Sequence, residues 1–311
     1  MSLIALSGAC EAGLLFGLVA LGVYLSFRVL DFPDLTVDGS FPLGASVAAS
    51  AIMAGVPPIV ATLFGFAAGA LAGFVTAFLS VRLKIMNLLA GILTMVALFS
   101  INLRVMGKPN ISLYGTDTIF SWINGIAALG VWANTVLLFC IVLAAKVSVD
   151  WFLATQVGLA VRATGANPRM AEAQAVDNGG MVMLGMAFAN GLVGLAGALY
   201  AESQGVADVS MGIGTIVSGL AAVIIGETVV GAGSVARATL GCILGALIYR
   251  LVIALALDGG MIGIQAQDLN LVTAVVVAVA VMVSKTRLKK LPSIRRTRVP
   301  AEPSKAEGKA S

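Results

Sequence analysis

Apolar residues gather into long windows along most of this chain, and the polar residues fall mainly between them. Val56 to Val81 carries no charged residue, nor does Met181 to Ala201, nor Leu269 to Val283. A helix needs roughly 20 mostly apolar residues to cross a hydrocarbon core of about 30 Å. Windows meet or approach that length at about 9–29, 41–55, 57–81, 85–106, 131–149, 181–201, 212–226, 237–257 and 268–284. The second and seventh are short and polar-flanked, the mark of broken or re-entrant segments. Such segments persist only where protein or a water-filled cavity surrounds the backbone. The pattern predicts an all-α, polytopic membrane helix bundle of about 8–9 transmembrane segments, one or two of them broken.

Composition agrees with the pattern. The 311 residues are 59% hydrophobic and 11% charged, against about 25% charged in a soluble domain, which needs them to face water. No Lys or Arg precedes Arg28, and Glu11 stands where a cleavable signal peptide would be basic, so the first window is read as a retained helix. The chain has no histidine, which removes histidine catalysis, most zinc sites and histidine proton relays. Cys10, Cys140 and Cys242 are far apart with no CxxC spacing, so they read as small apolar residues rather than a metal site or redox pair. No nucleophile–base pair is evident in a span. The residues point to no catalytic centre and no metal, and an intramembrane enzyme is the weakest reading.

Charge orients the windows. Arg82 and Lys84 mark one turn, Arg162 and Arg169 a second, and Lys285, Arg287, Lys289, Lys290, Arg295, Arg296 and Arg298 the C-terminal tail. Nine alternating spans put all three on one side, which the positive-inside rule makes cytoplasmic, with the N-terminus outside. Arg104 and Lys108 dissent, in the outer loop 107–130. The chain then divides into a transmembrane domain, 1–284, with a cytoplasmic loop at 155–180, and a basic tail, 285–311, expected to be disordered at its end.

Small residues mark close helix contacts. Ala61, Gly65, Gly69, Gly73 and Ala77 recur every four residues, Gly241 and Gly245 repeat the spacing, and Gly191, Gly194 and Gly197 give the sixth window a glycine face. Packing within the chain is the plainer reading of these rows and a dimer interface the sharper one. Polar residues in lipid face a cavity or one another. Asp34, Thr36, Asp38, Ser40, Asn87, Thr94 and Asn190 are the candidates for a solute pathway, Asn87 and Thr94 sharing a helix face. Interhelical hydrogen bonding is the alternative role for all seven. Glu202 and Gln204 lie at the outer end of the sixth window, and Glu227 reads as a helix-end or interface carboxylate.

The loop 155–180, TQVGLAVRATGANPRMAEAQAVDNGG, is too long for a turn and too polar to span. Asn167 suits an N-cap and Pro168 the first helical position, which predicts a short helix over Arg169–Asp177 stopped by Asn178-Gly179-Gly180. A helix lying on the membrane surface is shaped to dock into a groove of a soluble partner. An ordinary surface loop is the blander alternative.

The run GLAVRATGANPRMAEAQAVDNGGMVMLGMAFANGLVGLAGALYA resembles permeases of the branched-chain amino acid and ribose ABC importer family. There a segment reading roughly G-x-A-x-R-A-x-G-x-N-x-x-x-A-x-x-x-G precedes a glycine-rich apolar helix. Gly158, Ala160, Arg162, Ala163, Gly165, Asn167 and Ala171 match, while the closing glycine is displaced to Gly179 and Gly180. The resemblance implies an ABC importer permease fold in which this loop is the coupling helix that receives the motion of an ATPase subunit. Gly158, Arg162, Gly165, Asn167, Pro168, Arg169 and Glu172 are the residues it marks for that role.

LDFPDLTVDGSFPLGA at 30–45, GILTMVALFSINLRVMGKPNISL at 91–113 and AAVIIGET at 221–228 resemble the subgroup paired with tryptophan/tyrosine-type binding proteins. That implies a solute which is an amino acid, aromatic first, with a branched-chain amino acid or a sugar-like solute as alternatives. No phosphate-binding loop with its lysine is present, Gly231-Ala232-Gly233-Ser234 being only a glycine turn. No cofactor is expected on this chain, and ATP and Mg belong to partners. The implied partners are two ATP-binding cassette subunits, a periplasmic or lipid-anchored solute-binding protein and a second permease, either a second copy in a homodimer or a different one in a heterodimer, in a bacterial inner membrane. No nucleic acid is expected. An ion-coupled secondary transporter is the rival of a different class. An ABC exporter is disfavoured because exporters commonly carry their own ATPase domain.

Overall fold

The computed structural model describes residues 3–124, 132–231 and 233–258. The expected ninth window, 268–284, and the tail 285–311 lie outside them. The first helix, α1, is Leu3–Val23 and runs on through a π-helical turn, Tyr24–Val29. The turn closes with the Leu30 amide donating to the Leu25 carbonyl at 3.0 Å. After an extended stretch come α2 (Val37–Met53), α3 (Pro58–Val81) and α4 (Asn87–Met106). Two short elements follow, β1 (Asn110–Ser112) and α5 (Ile119–Asn124). Then come α6 (Ala133–Ala154), α7 (Gln156–Ala166), α8 (Pro168–Ala173) and α9 (Asn178–Gln204). β2 (Val206–Asp208) and a 3-10 turn (Val209–Gly212) lead into α10 (Thr215–Val230) and α11 (Val235–Asp258).

Seven spans among the described residues are long and apolar enough to cross a membrane. At 17 residues α2 is shorter, rising about 26 Å at 1.5 Å per residue. Most of it is buried, including Phe41, Ala45, Ala48 and Ala49, so protein rather than lipid surrounds most of its length. The polytopic all-α bundle expected from the windows is the fold observed. Two windows shift. The second starts at Val37 and passes through Pro42. That proline cannot donate to the Asp38 carbonyl, and Gly212 has no side chain where its backbone closes on that carbonyl and on the Pro42 ring. The seventh is entered through the 3-10 turn and Gly214, whose φ of +81° is readily adopted only by glycine.

The small-residue rows pack within the chain. A Cβ at Gly69 or Gly73 would overlap the Asn190 or Met186 carbonyl of α9, and one at Gly194 would press on Gly65 and Gly69 of α3. Gly245 and Gly226 bring α11 and α10 together in the same way. Around these seams lies a core in which α1 is central, with Leu15, Leu18, Leu21 and Val23 fully buried beside Leu138, Val193, Leu199 and Cys242. The outward faces of α3, α4 and α6 present Leu63, Leu71, Leu93, Val96, Phe99, Phe139 and Trp151, as a surface solvated by lipid tails would. At one end β1 pairs antiparallel with β2, Ile111 opposite Ala207, and ties the α4 exit to the α9 exit. The opposite end carries α7 and α8.

Candidate functional site

The loop 155–180 is a helical hairpin rather than one short helix. Residues 156–166, read from sequence as loop, form α7 because Thr155 caps it, its hydroxyl accepting from the Gly158 amide at 3.1 Å. Asn167 caps α8 as expected, its carbonyl oxygen accepting from the Met170 amide at 3.1 Å, with Pro168 in the first helical position. The expected helix 169–177 ends early, at Ala173, and Ala175 turns to a φ of +61°. Asn178-Gly179-Gly180 starts the next helix instead of stopping this one. Asp177 is its N-cap, accepting from the Gly179 amide at 3.1 Å.

Two contacts fix the hairpin. Gly165 lies against the Val29 carbonyl and Leu30 at the end of α1, where any side chain would overlap backbone. Asn178 donates to the Pro168 carbonyl at 2.8 Å and accepts from Thr164 at 3.1 Å, bolting both hairpin arms to α9. What remains free is one surface: Asn167, Pro168, Arg169, Met170, Glu172 and Ala173 are exposed, while Ala171 is buried beneath them. Met170 is 65% exposed. Arg162 lines a cavity of about 630 Å³ between α7, the end of α1 and the start of α11.

Deeper in the bundle four of the predicted pathway residues meet, although 156 positions separate the ends. Asn190 of α9 donates to the Asp34 carboxylate at 2.6 Å and accepts from the Ser40 hydroxyl at 2.8 Å. Asp34 also accepts from the Thr36 amide at 2.9 Å, and the Thr36 hydroxyl meets that of Thr76 on α3 at 2.7 Å. All five side chains are fully buried. The network joins the extended stretch before α2 to α3 and α9, where the backbone lacks helical hydrogen bonds.

Against known proteins, the profile of the family described as "Branched-chain amino acid transport system / permease component" matches residues 6–286. This chain belongs to that permease family. It is 38% identical to a tyrosine transport system permease protein of Clostridioides difficile (strain R20291), over 90% of this chain and 94% of that one. It is 34% identical to the uncharacterized protein RP368 of Rickettsia prowazekii (strain Madrid E), over 88% and 95%. More distantly, it is 25% identical to the ribose import permease protein RbsC of Escherichia coli (strain K12), over 82% and 77%.

In this permease the other three predicted pathway residues lie apart from the network. Asp38 accepts from the Ile216 amide at 2.7 Å and the Gly214 amide at 3.3 Å, satisfying orphan donors at the start of α10. Asn87 accepts from Ser80 at the α3–α4 corner. Thr94 donates to its own helix at the Ala90 carbonyl, 3.0 Å away, beside an apolar groove between α2, α3 and α4.

Three polar contacts escaped the sequence reading. Arg28 donates through Nε to Glu227 at 2.7 Å, with a second close contact through Nη2, on the wall of the hairpin-side cavity. Lys146 pairs with Asp150, whose other oxygen accepts from Thr239 at 2.7 Å. Glu202 clamps Thr62 at 2.6 Å and the Ile119 amide at 2.9 Å. The i, i+4 spacing of Lys146 and Asp150 was legible; partners 199 residues apart were not.

Proposed function

We propose that the permease is the membrane half of an ATP-driven importer, taking up an amino acid with an aromatic side chain, and that the α7–α8 hairpin couples it to separate ATPase subunits. The observation that carries this reading is the hairpin itself. Its outer surface is exposed around Arg169, Met170 and Glu172, while its inner surface touches the end of α1 through Gly165 with no side chain to absorb displacement. A push on α8 therefore reaches α1 as backbone motion. Gly158, Arg162, Asn167 and Pro168 complete that lever: Gly158 closes on Phe152 at its root, Arg162 faces the cavity, and Asn167–Pro168 shape the tip.

The wider assembly we propose has two ATP-binding cassette subunits holding ATP and Mg, an external solute-binding protein and two permease copies. The hairpin and C-terminus face the cytoplasm of a bacterial inner membrane. The basic residues Arg162 and Arg169 on the hairpin, with Arg82 and Lys84 nearby in topology, support that orientation. The tyrosine-type relative supports the aromatic solute. Asp34, Thr36, Ser40 and Asn190 are the best placed of the proposed pathway residues, since their mutual hydrogen bonds can be traded for a solute when α2 and α9 separate. Asp38, Asn87 and Thr94 would act at its margins.

The test is transport by the assembled complex in proteoliposomes. Gly165→Leu and Arg162→Glu are expected to reduce ATP-driven uptake of L-tyrosine at least tenfold and to uncouple ATP hydrolysis from solute. Unchanged uptake and unchanged stimulation in both variants overturns the coupling assignment. Uptake driven by an ion gradient without ATPase subunits overturns the importer reading itself.

A further inference from the structure

Charged side chains inside a membrane bundle are costly, and each is expected to have a partner or a task. Arg28 has Glu227 and Lys146 has Asp150. Arg250, on α11, is different. Its Nε is buried without an acceptor, and no hydrogen bond or ion pair among the described residues engages its guanidinium. Its guanidinium carbon lies 3.7 Å from the ring centroid of Phe16 on α1.

That contact uses the face of the guanidinium and leaves its edge. A guanidinium donates within its own plane, so stacking on Phe16 fixes the plane while the N–H groups stay available for a bidentate acceptor. The surroundings are aromatic. Phe16 lies 6.0 Å from Phe41 of α2 and 6.5 Å, edge-on, from Tyr200 of α9, and Phe41 lies 5.5 Å from Tyr200. Four helices thus bring three rings together with one cation that has no ion-pair partner among the described residues. Phe16, Phe41 and Tyr249 are buried, whereas Arg250 and Tyr200 keep partial exposure.

We infer that Arg250 and Tyr200, backed by Phe16 and Phe41, form a recognition site in the bundle for the carboxylate and ring of an aromatic amino acid. A carboxylate supplies the in-plane acceptor that Arg250 lacks, and an aromatic side chain continues the existing edge-to-face packing. A few polar groups placed in an otherwise apolar setting are what small-molecule sites share. The inference rests on the aromatic-solute reading above, and adds the place in the chain where that solute is read.

The experiment titrates the full-length permease in lipid nanodiscs with L-tyrosine, L-leucine and tyramine, following saturation-transfer NMR, alongside ATP-driven uptake by the assembled complex. In Arg250→Gln, L-tyrosine affinity is expected to fall at least tenfold while tyramine, which lacks the carboxylate, is unchanged; Arg250→Lys should recover part of the loss. Tyr200→Leu keeps the cation and should weaken L-tyrosine several-fold more than L-leucine, which keeps the site testable where Arg250→Gln does not fold. The site is overturned where Arg250→Gln binds L-tyrosine like the wild type, or loses L-tyrosine and tyramine equally, as a structural arginine would. Wild-type uptake of L-tyrosine with unaltered variants removes the site alone. Wild-type uptake confined to a sugar or another solute without a carboxylate removes the aromatic reading, and the site with it.

Discussion

At the scale of single residues, Asn190 decides most. Its amide donates to Asp34 and, at 3.3 Å, to the Met186 carbonyl, and its oxygen accepts from Ser40. Leucine has nearly its size but none of these groups, so Asn190→Leu leaves a buried carboxylate oxygen and a buried hydroxyl without a partner. An unsatisfied buried group costs about 1–3 kcal/mol. Asn190→Leu is therefore expected to lower the thermal unfolding midpoint in detergent, and Asp34→Leu/Asn190→Leu to recover part of the loss, because removing both partners costs less than stranding one. Additive losses in that cycle would separate the two residues. The sequence marked Asp34, Ser40 and Asn190 as polar in an apolar setting, and a single side chain in lipid is legible in that way. Their pairing was not, because no local rule connects residues 150 positions apart. Arg250 lay in an apolar window and carried no signal beyond its charge; its buried Nε and its contact with Phe16 separate it from a surface arginine.

At the scale of elements, glycine positions divide sharply by what lies opposite them. Gly73 on α3 faces the Met186 carbonyl and the Asn190 side chain of α9, so even a methyl group must push two backbones apart. Overpacking of this kind costs about 1–3 kcal/mol. Gly8 on α1 has nothing within 4 Å of where a Cβ would sit, and alanine in a helix is favoured over glycine by about 0.5–1 kcal/mol. Gly73→Ala is expected to lower the unfolding midpoint and Gly8→Ala to leave it level or raise it, read in the same thermal assay. The every-fourth-residue row on α3 made this seam visible in sequence, since close approach requires small residues. The hairpin was visible only in part. Asn167 and Pro168 have capping chemistry that reads locally, whereas α7 is held by Thr155 at one end and by contact with α1 at Gly165, and the second of these is tertiary. Asn178-Gly179-Gly180 read as a stop because glycine ends helices more often than it begins them. Asp177, capping from the preceding position, reversed that sense.

At the scale of the whole molecule, α1 connects regions that the chain separates widely. Its length packs against α6, α9, α10 and α11. Its end carries Arg28, which reaches Glu227 at the end of α10, one residue before the Val29 carbonyl that rests on Gly165 of α7. The hairpin and the α10 end thus meet the same turn of one helix, beside the 630 Å³ cavity lined by α7, that turn and the start of α11. The turn is π-helical, a geometry that is rare and frequently found at functional sites. Arg28 is 56% exposed, so its ion pair is screened and contributes only about 0–1 kcal/mol to stability. Its larger effect is expected on the balance between conformations, where such an increment shifts populations several-fold. Glu227→Arg is expected to leave the unfolding midpoint within a few degrees of wild type and to change coupled uptake by the assembled complex several-fold. Arg28→Glu/Glu227→Arg should restore it, because the reversed pair again joins α1 to α10. A double variant as impaired as the single one would assign the loss to the cavity's charge instead of to the link between the helices.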